Sequence, residues 1–358
     1  MSDTGTDPAG EPADSPAPRS STEATDSAAQ SDPDPPSDPI PASITSLLTE
    51  PSRRRSALGL LAFVLVPVVL ATPVAVPIAL LAGFGPLVGL LLALVGGPAV
   101  SAAVGPILLD RRIDRLPAAD LEDRPSAFIE HRVSELAGSV GVEPPTVRIV
   151  RGTAANVAVA DGYRGATLVV STRLLSLPQD DRDAALRHAL VRLQRREVAI
   201  TTALLPAAVA VETLAIVATL LVGRRNDRGD TDRRVNRIHG YEPERGRVPG
   251  PVAAAAGVLL WILILPAWLP FVVADRFHVA EGRRAADVAV SRVGKPERDG
   301  LANALSFARE AAGAADWPPL FDRLSLLSMA DETTDRVRGT TPQETRIRLA
   351  RLRSKRAV

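Results

Sequence analysis

A chain of 358 residues with 23% charged residues and a formal net charge of +1 carries no global electrostatic signature. With no cysteine, it excludes disulfides, thiolate zinc sites and a cysteine nucleophile. A mean hydropathy of +0.10 beside that many charges points to strongly apolar segments set between strongly polar ones.

Residues 1–52 are rich in Ser, Pro, Asp and Thr, and Arg19 is the single basic residue among the first 50. Without an apolar period such a segment buries too little surface to offset its ordering entropy, so a disordered acidic tail is expected. It lacks the basic start and early apolar core of a signal peptide. Residues 53–110 read as a transmembrane hairpin. Arg53, Arg54 and Arg55 precede a charge-free run from Ser56 to Leu109, and Asp110-Arg111-Arg112 closes it. At about 20 residues per span the run holds two helices. Pro73, Pro77, Gly83, Gly85 and Pro86 place the turn near 76–86, and arginines at both outer ends put those ends in the cytoplasm.

Residues 111–197 read as the first part of a soluble domain. A helix is expected over 126–141, then strands at Thr146–Arg151, Asn156–Ala160 and Ala166–Ser171, with Asp161-Gly162 as the turn between the last two. A further helix starts near Asp181 and carries His188. Over 198–274, two more apolar runs are long enough to cross a bilayer: Val198 to Gly223, interrupted by Glu212, and Pro249 to Ala274, with Trp261 and Trp268 as interface anchors. Four spans in two hairpins keep 111–197 and 275–358 on one side, in the cytoplasm with the tail. The eight arginines of the loop 224–248 would then lie outside, against the positive-inside rule; the alternative is that both later runs are re-entrant or lie against the soluble domain. Glu212 is either a functional acid or an interhelical hydrogen-bonding group, with no partner identifiable.

The helix after Asp181 holds the chemistry. His188 and Arg192 stand four apart and project from one face. That is the spacing of His-Glu-x-x-His, in which two imidazoles hold zinc and the glutamate is the general base. Here the frame reads His188-Ala189-Leu190-Val191-Arg192.

The surrounding words resemble the HtpX-type membrane zinc metallopeptidases, which include the CAAX prenyl proteases. They are Gly141-Val142-Glu-Pro-Pro145-Thr-Val147-Arg-Ile149-Val150, then Ala155-Asn156-Val-Ala158, then Val169-Val170-Ser-Thr172-Arg-Leu174-Leu175, then Asp180-Asp181-Arg-Asp183 leading into the zinc-type helix. Near the C-terminus Gly339-Thr340-Thr341-Pro342 and Arg346-Ile347 are similar to the family's Thr-His-Pro and Arg-Ile, with Thr341 in place of the histidine. The resemblance covers about residues 55–355. It implies an α+β, mostly helical fold: a multi-span membrane protein with a zincin-like cytoplasmic domain of a small β-sheet plus helices, completed by a helical part in 275–358.

The resemblance also implies a third zinc ligand, a glutamate in a Glu-x-x-Ala-Asp helix. Anchoring on Ala286-Asp287 puts Arg283 at that position; anchoring on Glu281 keeps a ligand but needs a two-residue insertion before Asp287. The first is preferred. Zinc needs donors with lone pairs converging at about 2.0–2.3 Å, and a guanidinium has none to give. Ala189 cannot act as base, which alone costs about 10²–10⁴-fold. Arg192 is expected to take the metal's place by pairing with Glu281 or Asp287.

No catalytic residue, no metal and no cofactor are therefore expected, and the chain reads as a pseudoprotease. Its binding or regulatory role would lie at the plasma membrane, with the bilayer, membrane-protein clients or an active homologous protease as partners. An edge strand at Asn156, Val157 and Ala158 is the expected docking line for an extended segment. The alternative is a zinc endopeptidase in membrane-protein quality control with a site rebuilt from His188, His278 and Glu281, joined by His131 or His239. No nucleic-acid partner is expected, since the arginine clusters flank membrane segments or lie on a terminal helix.

Overall fold

The computed structural model of the protein describes residues 53–119, 123–222, 250–311, 317–328 and 343–354. The expected acidic tail, the arginine-rich loop 224–248, His239 and Thr341 lie outside the described residues.

Two antiparallel apolar helices come first, α1 (Arg53–Leu81) and α2 (Pro86–Asp114). Pro67, Pro73 and Pro77 do not end α1, because an apolar phase offers no water to the backbone and the helix remains the cheapest way to satisfy it. The turn is confined to 82–85, where Gly83 takes a φ of 81°, a left-handed conformation that glycine adopts without strain.

Helix α3 (Asp123–Val140) ends at Gly141, again with positive φ. Three strands follow: β1 (Thr146–Val150), β2 (Val157–Gly162) and β3 (Gly165–Ser171). The sheet order is β1-β3-β2, with β1 parallel and β2 antiparallel to β3. Val157 is opposite Val170, and Gly162 opposite Gly165. The turn therefore consists of Tyr163 and Arg164, a correction to the expected Asp161-Gly162. Gly162 stays in the ladder and lacks a side chain because the Asp110 carboxylate of α2 packs against its Cα.

After the single turn α4 (Thr172–Leu175), α5 (Gln179–Gln194) crosses beneath the sheet, and α6 (Glu197–Val222) leaves it for the apolar bundle. Arg196, at a φ of 55°, makes the sharp joint between them. Helix α7 (Pro251–Ala274) returns, passes through a π-helical turn (Asp275–Val279) and continues as α8 (Ala280–Val293). Helix α9 (Lys295–Ala311), a 3-10 turn (Pro319–Leu324) and α10 (Gln343–Arg353) complete the described chain.

Four helices, beginning at Arg54, Pro86, Glu197 and Pro251, are long and apolar enough to cross a membrane. There are two apolar cores. One joins α3, the sheet, α5, α8, α9 and the segment 317–327; the other joins α1, α6 and α7. Leu205 of α6 belongs to the first and Val211 to the second, so α6 runs from the domain into the bundle.

Candidate functional site

The cleft of interest lies between α5, α8, α10 and the extended segment that follows the 3-10 turn. Its polar side chains are almost wholly shielded: His188 is 0% exposed, Arg192 1%, Arg283 2% and Arg348 3%. Buried charges of this kind persist when each is paired and hydrogen-bonded, and here each guanidinium has a carboxylate.

Arg192 pairs with Glu197, donating from Nη2 to Oε1 at 2.6 Å and from Nε to Oε2 at 3.3 Å. The same guanidinium donates to the carbonyls of Arg323 at 2.9 Å and Ser325 at 3.1 Å. The expected pairing with Glu281 or Asp287 is thus corrected. The joint at Arg196 folds the first turn of α6 back onto α5, which brings Glu197 to Arg192 before any α8 carboxylate reaches it. Asp287 is held by Arg348, whose Nε and Nη2 bind its two oxygens at 2.8 and 2.7 Å; Glu281 pairs with Arg284 at 3.2 Å.

Helix α8 is regular from Ala280, so Arg283 and Asp287, four apart, share the face turned to α5, while Glu281 lies on another. Arg283 donates to the Ser325 carbonyl at 3.2 Å and the Asp322 carbonyl at 2.5 Å. Two side chains that a metal site would need as ligands therefore point at one carbonyl oxygen. Each of the two guanidinium groups also has a carboxylate, Glu197 for Arg192 and, at 3.6 Å, Glu344 for Arg283.

His188 Nε2 lies 3.2 Å from Asp287 Oδ1 and 3.3 Å from the Arg283 carbonyl. The Arg348 guanidinium, a donor, lies 3.3 Å from the same nitrogen, and the buried Nδ1 has no partner. Burial pushes the imidazole below its ordinary pKa, with Asp287 working against that shift, so the ring is neutral. Ala189 is buried and offers no acid or base.

Zinc, which the resemblance implies, does not fit these residues. His188 is the one neutral nitrogen donor in the cleft, its Nε2 faces a carboxylate and a carbonyl, and the positions that should supply the other ligands carry guanidinium groups with no lone pair. Among the described residues no three His, Cys, Asp or Glu groups come together as a metal site. His131 is exposed on α3 and paired with Glu135 at 3.3 Å. His278 is buried in the π-turn, its ring against Phe63 at 5.7 Å between centroids, and neither ring nitrogen has a partner.

Glu212 does have a partner. Arg323, in the 3-10 turn, donates to it at 2.6 Å and to Asp275 at 2.9 Å, with its guanidinium over the Phe271 ring at 4.9 Å. Glu212 lies 15 residues into α6, about 22 Å along it, so this contact ties the 3-10 turn to the middle of that helix.

The edge strand also differs from expectation. β2 is at the sheet's edge, but Val157 and Ala158 are fully buried, as is Asn156 before it. Leu326 N–H donates to the Val157 carbonyl at 2.8 Å, Ala158 bridges Ser325, and the Asn156 amide binds both backbone groups of Leu327, at 2.8 and 3.2 Å. The docking line expected at Asn156, Val157 and Ala158 is filled by the chain itself, because the segment 325–327 satisfies an edge that would otherwise be an open template.

Sequence reasoning missed Glu197, Arg323 and Arg348. A signal existed for Arg323: it is the one cation in the largely apolar Leu320-Phe-Asp-Arg-Leu-Ser-Leu-Leu327, and Glu212 is the one acid in the apolar run Val198 to Gly223. For Arg348 there was none, and Arg346, the arginine matched by resemblance, is exposed. Compared with protein-family models, curated proteins and solved structures, the chain finds no match.

Proposed function

We propose that the chain is a multi-pass plasma-membrane protein, its cleft in the cytoplasm, built on an HtpX-like metallopeptidase scaffold that no longer hydrolyses peptides. It acts by binding, on membrane-protein clients or on an active homologous protease. The observation that carries this reading is the convergence of Arg192 and Arg283 on the Ser325 carbonyl, at 3.1 and 3.2 Å. A dication at that point would face two fixed positive charges, and the guanidinium groups cannot shed theirs. Ala189 leaves no group to take a proton from water. The arginines at the outer ends of α1 and α2 support the cytoplasmic side.

One observation favours a rearranged zinc site: His188 Nδ1, both nitrogens of His278 and Glu281 Oε2 are buried without partners. They sit on three elements, α5, the π-helical turn and α8, and do not come together as a metal site among the described residues.

Metal analysis of detergent-purified protein tests both readings. Wild type should carry no stoichiometric zinc after exposure to the metal. The variant combining Ala189→Glu, Arg192→His and Arg283→Glu should take up one zinc per chain if the scaffold is the one proposed. Stoichiometric zinc in wild type that His188→Ala removes, together with chelator-sensitive cleavage of a polypeptide, would overturn the non-catalytic reading.

A further inference from the structure

The end of the 3-10 turn and the residues that follow it, 322–327, are held in an unusual way. Five of its backbone carbonyls are bound by side chains from elsewhere in the fold: Asp322 by Arg283, Arg323 by Arg192, Ser325 by both, Leu326 by Arg348, and Leu327 by Asn156. Strand pairing adds the Leu326 N–H on Val157. A strand that belongs to a sheet is normally held by its neighbours' backbones. Side chains that grip main-chain oxygens, with one strand edge alongside, are how a groove receives a peptide backbone whatever its sequence.

Selectivity comes from two features. The Arg323 side chain enters an acidic pocket made by Glu212 and Asp275 and floored by Phe271, a fit that a guanidinium satisfies and a carboxylate would not. Two residues on, Ser325 is wholly buried, its hydroxyl accepting from Trp317 Nε1 at 2.9 Å and donating to the Phe321 carbonyl at 2.6 Å, so a small residue is required there. Leu324, Leu326 and Leu327 enter the apolar core.

We propose that the groove between β2, α5 and α8 is a peptide-binding site whose resident ligand is this chain's own Phe321–Ser328. In trans it takes a peptide of the same chemistry and conformation, a turn bearing an arginine followed two residues later by a small residue and then by apolar ones. This rests on the binding role proposed above and names its ligand class. The segment competes with any external peptide at an effective concentration on the order of millimolar, so the wild-type groove is masked.

The test uses the full chain in detergent micelles and a fluorescein-labelled peptide of the sequence Trp317–Ser328, read by anisotropy. Arg323→Ala in the protein removes the anchor of the resident segment and leaves the pocket intact. It should bind the labelled peptide at least about tenfold more tightly than wild type does, since a binding-competent fraction raised tenfold lowers the apparent Kd by the same factor. A labelled peptide carrying Arg323→Glu should gain nothing. No gain in a folded Arg323→Ala protein, or an equal gain for the Glu-bearing peptide, overturns the proposal. If the variant does not fold, wild-type protein with protease sites inserted in 312–316 and 329–342 replaces it, cut after purification. Exchange of the freed segment for labelled peptide supports the groove; retention without exchange shows a structural strand and overturns it. Zinc content of the same preparations is read separately, so the failure of the non-catalytic reading and the failure of this one are distinguishable.

Discussion

The bundle and the cleft of this protein solve opposite problems. In the bundle, α1, α2 and α7 turn Leu61, Leu91 and Leu263 outward, and small residues let backbones approach; Gly105 of α2 lies against the Thr202 carbonyl of α6. In the cleft the outside is ordinary and the inside is charged: Arg192, Arg283 and Arg348 are more shielded than many of the leucines. The difference teaches that burial in this chain is not a measure of apolarity. The bundle is held by fit between neutral surfaces, so its errors are local. The cleft is held by ion pairs whose members depend on one another, so removing one strands another.

The largest effect is therefore expected at Glu197. Glu197→Ala leaves the Arg192 guanidinium buried without its anion, a change that costs about 3–5 kcal/mol, and it also disturbs the carbonyls of Arg323 and Ser325 that Arg192 holds. Unfolding by SDS titration in detergent micelles measures it. A loss below about 1 kcal/mol would mean that the pair behaves as a surface salt bridge, and the contrast between cleft and bundle would fail.

A smaller effect sharpens the same contrast by making one change in each region. A Cβ at Gly282 would overlap the Glu197 carboxylate, and a Cβ at Gly105 would overlap the Thr202 carbonyl. Overpacking typically costs about 1–3 kcal/mol. Gly282→Ala should lie at the upper end, because moving Glu197 also weakens its pair with Arg192, and the loss should shrink when Arg192→Leu is added. Gly105→Ala should show no such coupling to Arg192. A double-mutant cycle reads the difference directly.

The same division explains what the sequence revealed. The four apolar helices could be read almost to their ends, because selection by a non-aqueous phase acts on local runs of composition. The three strands were found within two residues, since alternation is local too; the hairpin turn was misplaced because what excludes a side chain from Gly162 is Asp110, 52 positions earlier. Helical spacing drew attention to His188 and Arg192, and the resemblance to Arg283; the structure brings all three into one cleft. Their partners were not found. Arg348 reaches Asp287 from 61 positions away and Arg323 reaches Glu212 from 111, and no short-range pattern encodes such pairings. Even Glu197, five residues from Arg192, was hidden by the break in helix at Arg196.

The smallest effect concerns pH. Because burial holds the folded His188 below its ordinary value, the folded and unfolded chains are both neutral at this residue above about pH 6.5, and it contributes no pH dependence there. As pH falls below that value, the unfolded chain binds a proton that the folded one refuses. Stability then declines, with a slope of at most about 1.4 kcal/mol per pH unit for one proton. Thermal midpoints measured in micelles across this window should fall with acidification in wild type and fall less steeply in His188→Asn, which keeps a polar side chain beside Asp287 but has no group to protonate. An equal slope in the two proteins would mean that His188 is already charged in the folded cleft. In that event the imidazolium would lie 3.3 Å from the Arg348 guanidinium, with Asp287 shared between the two cations.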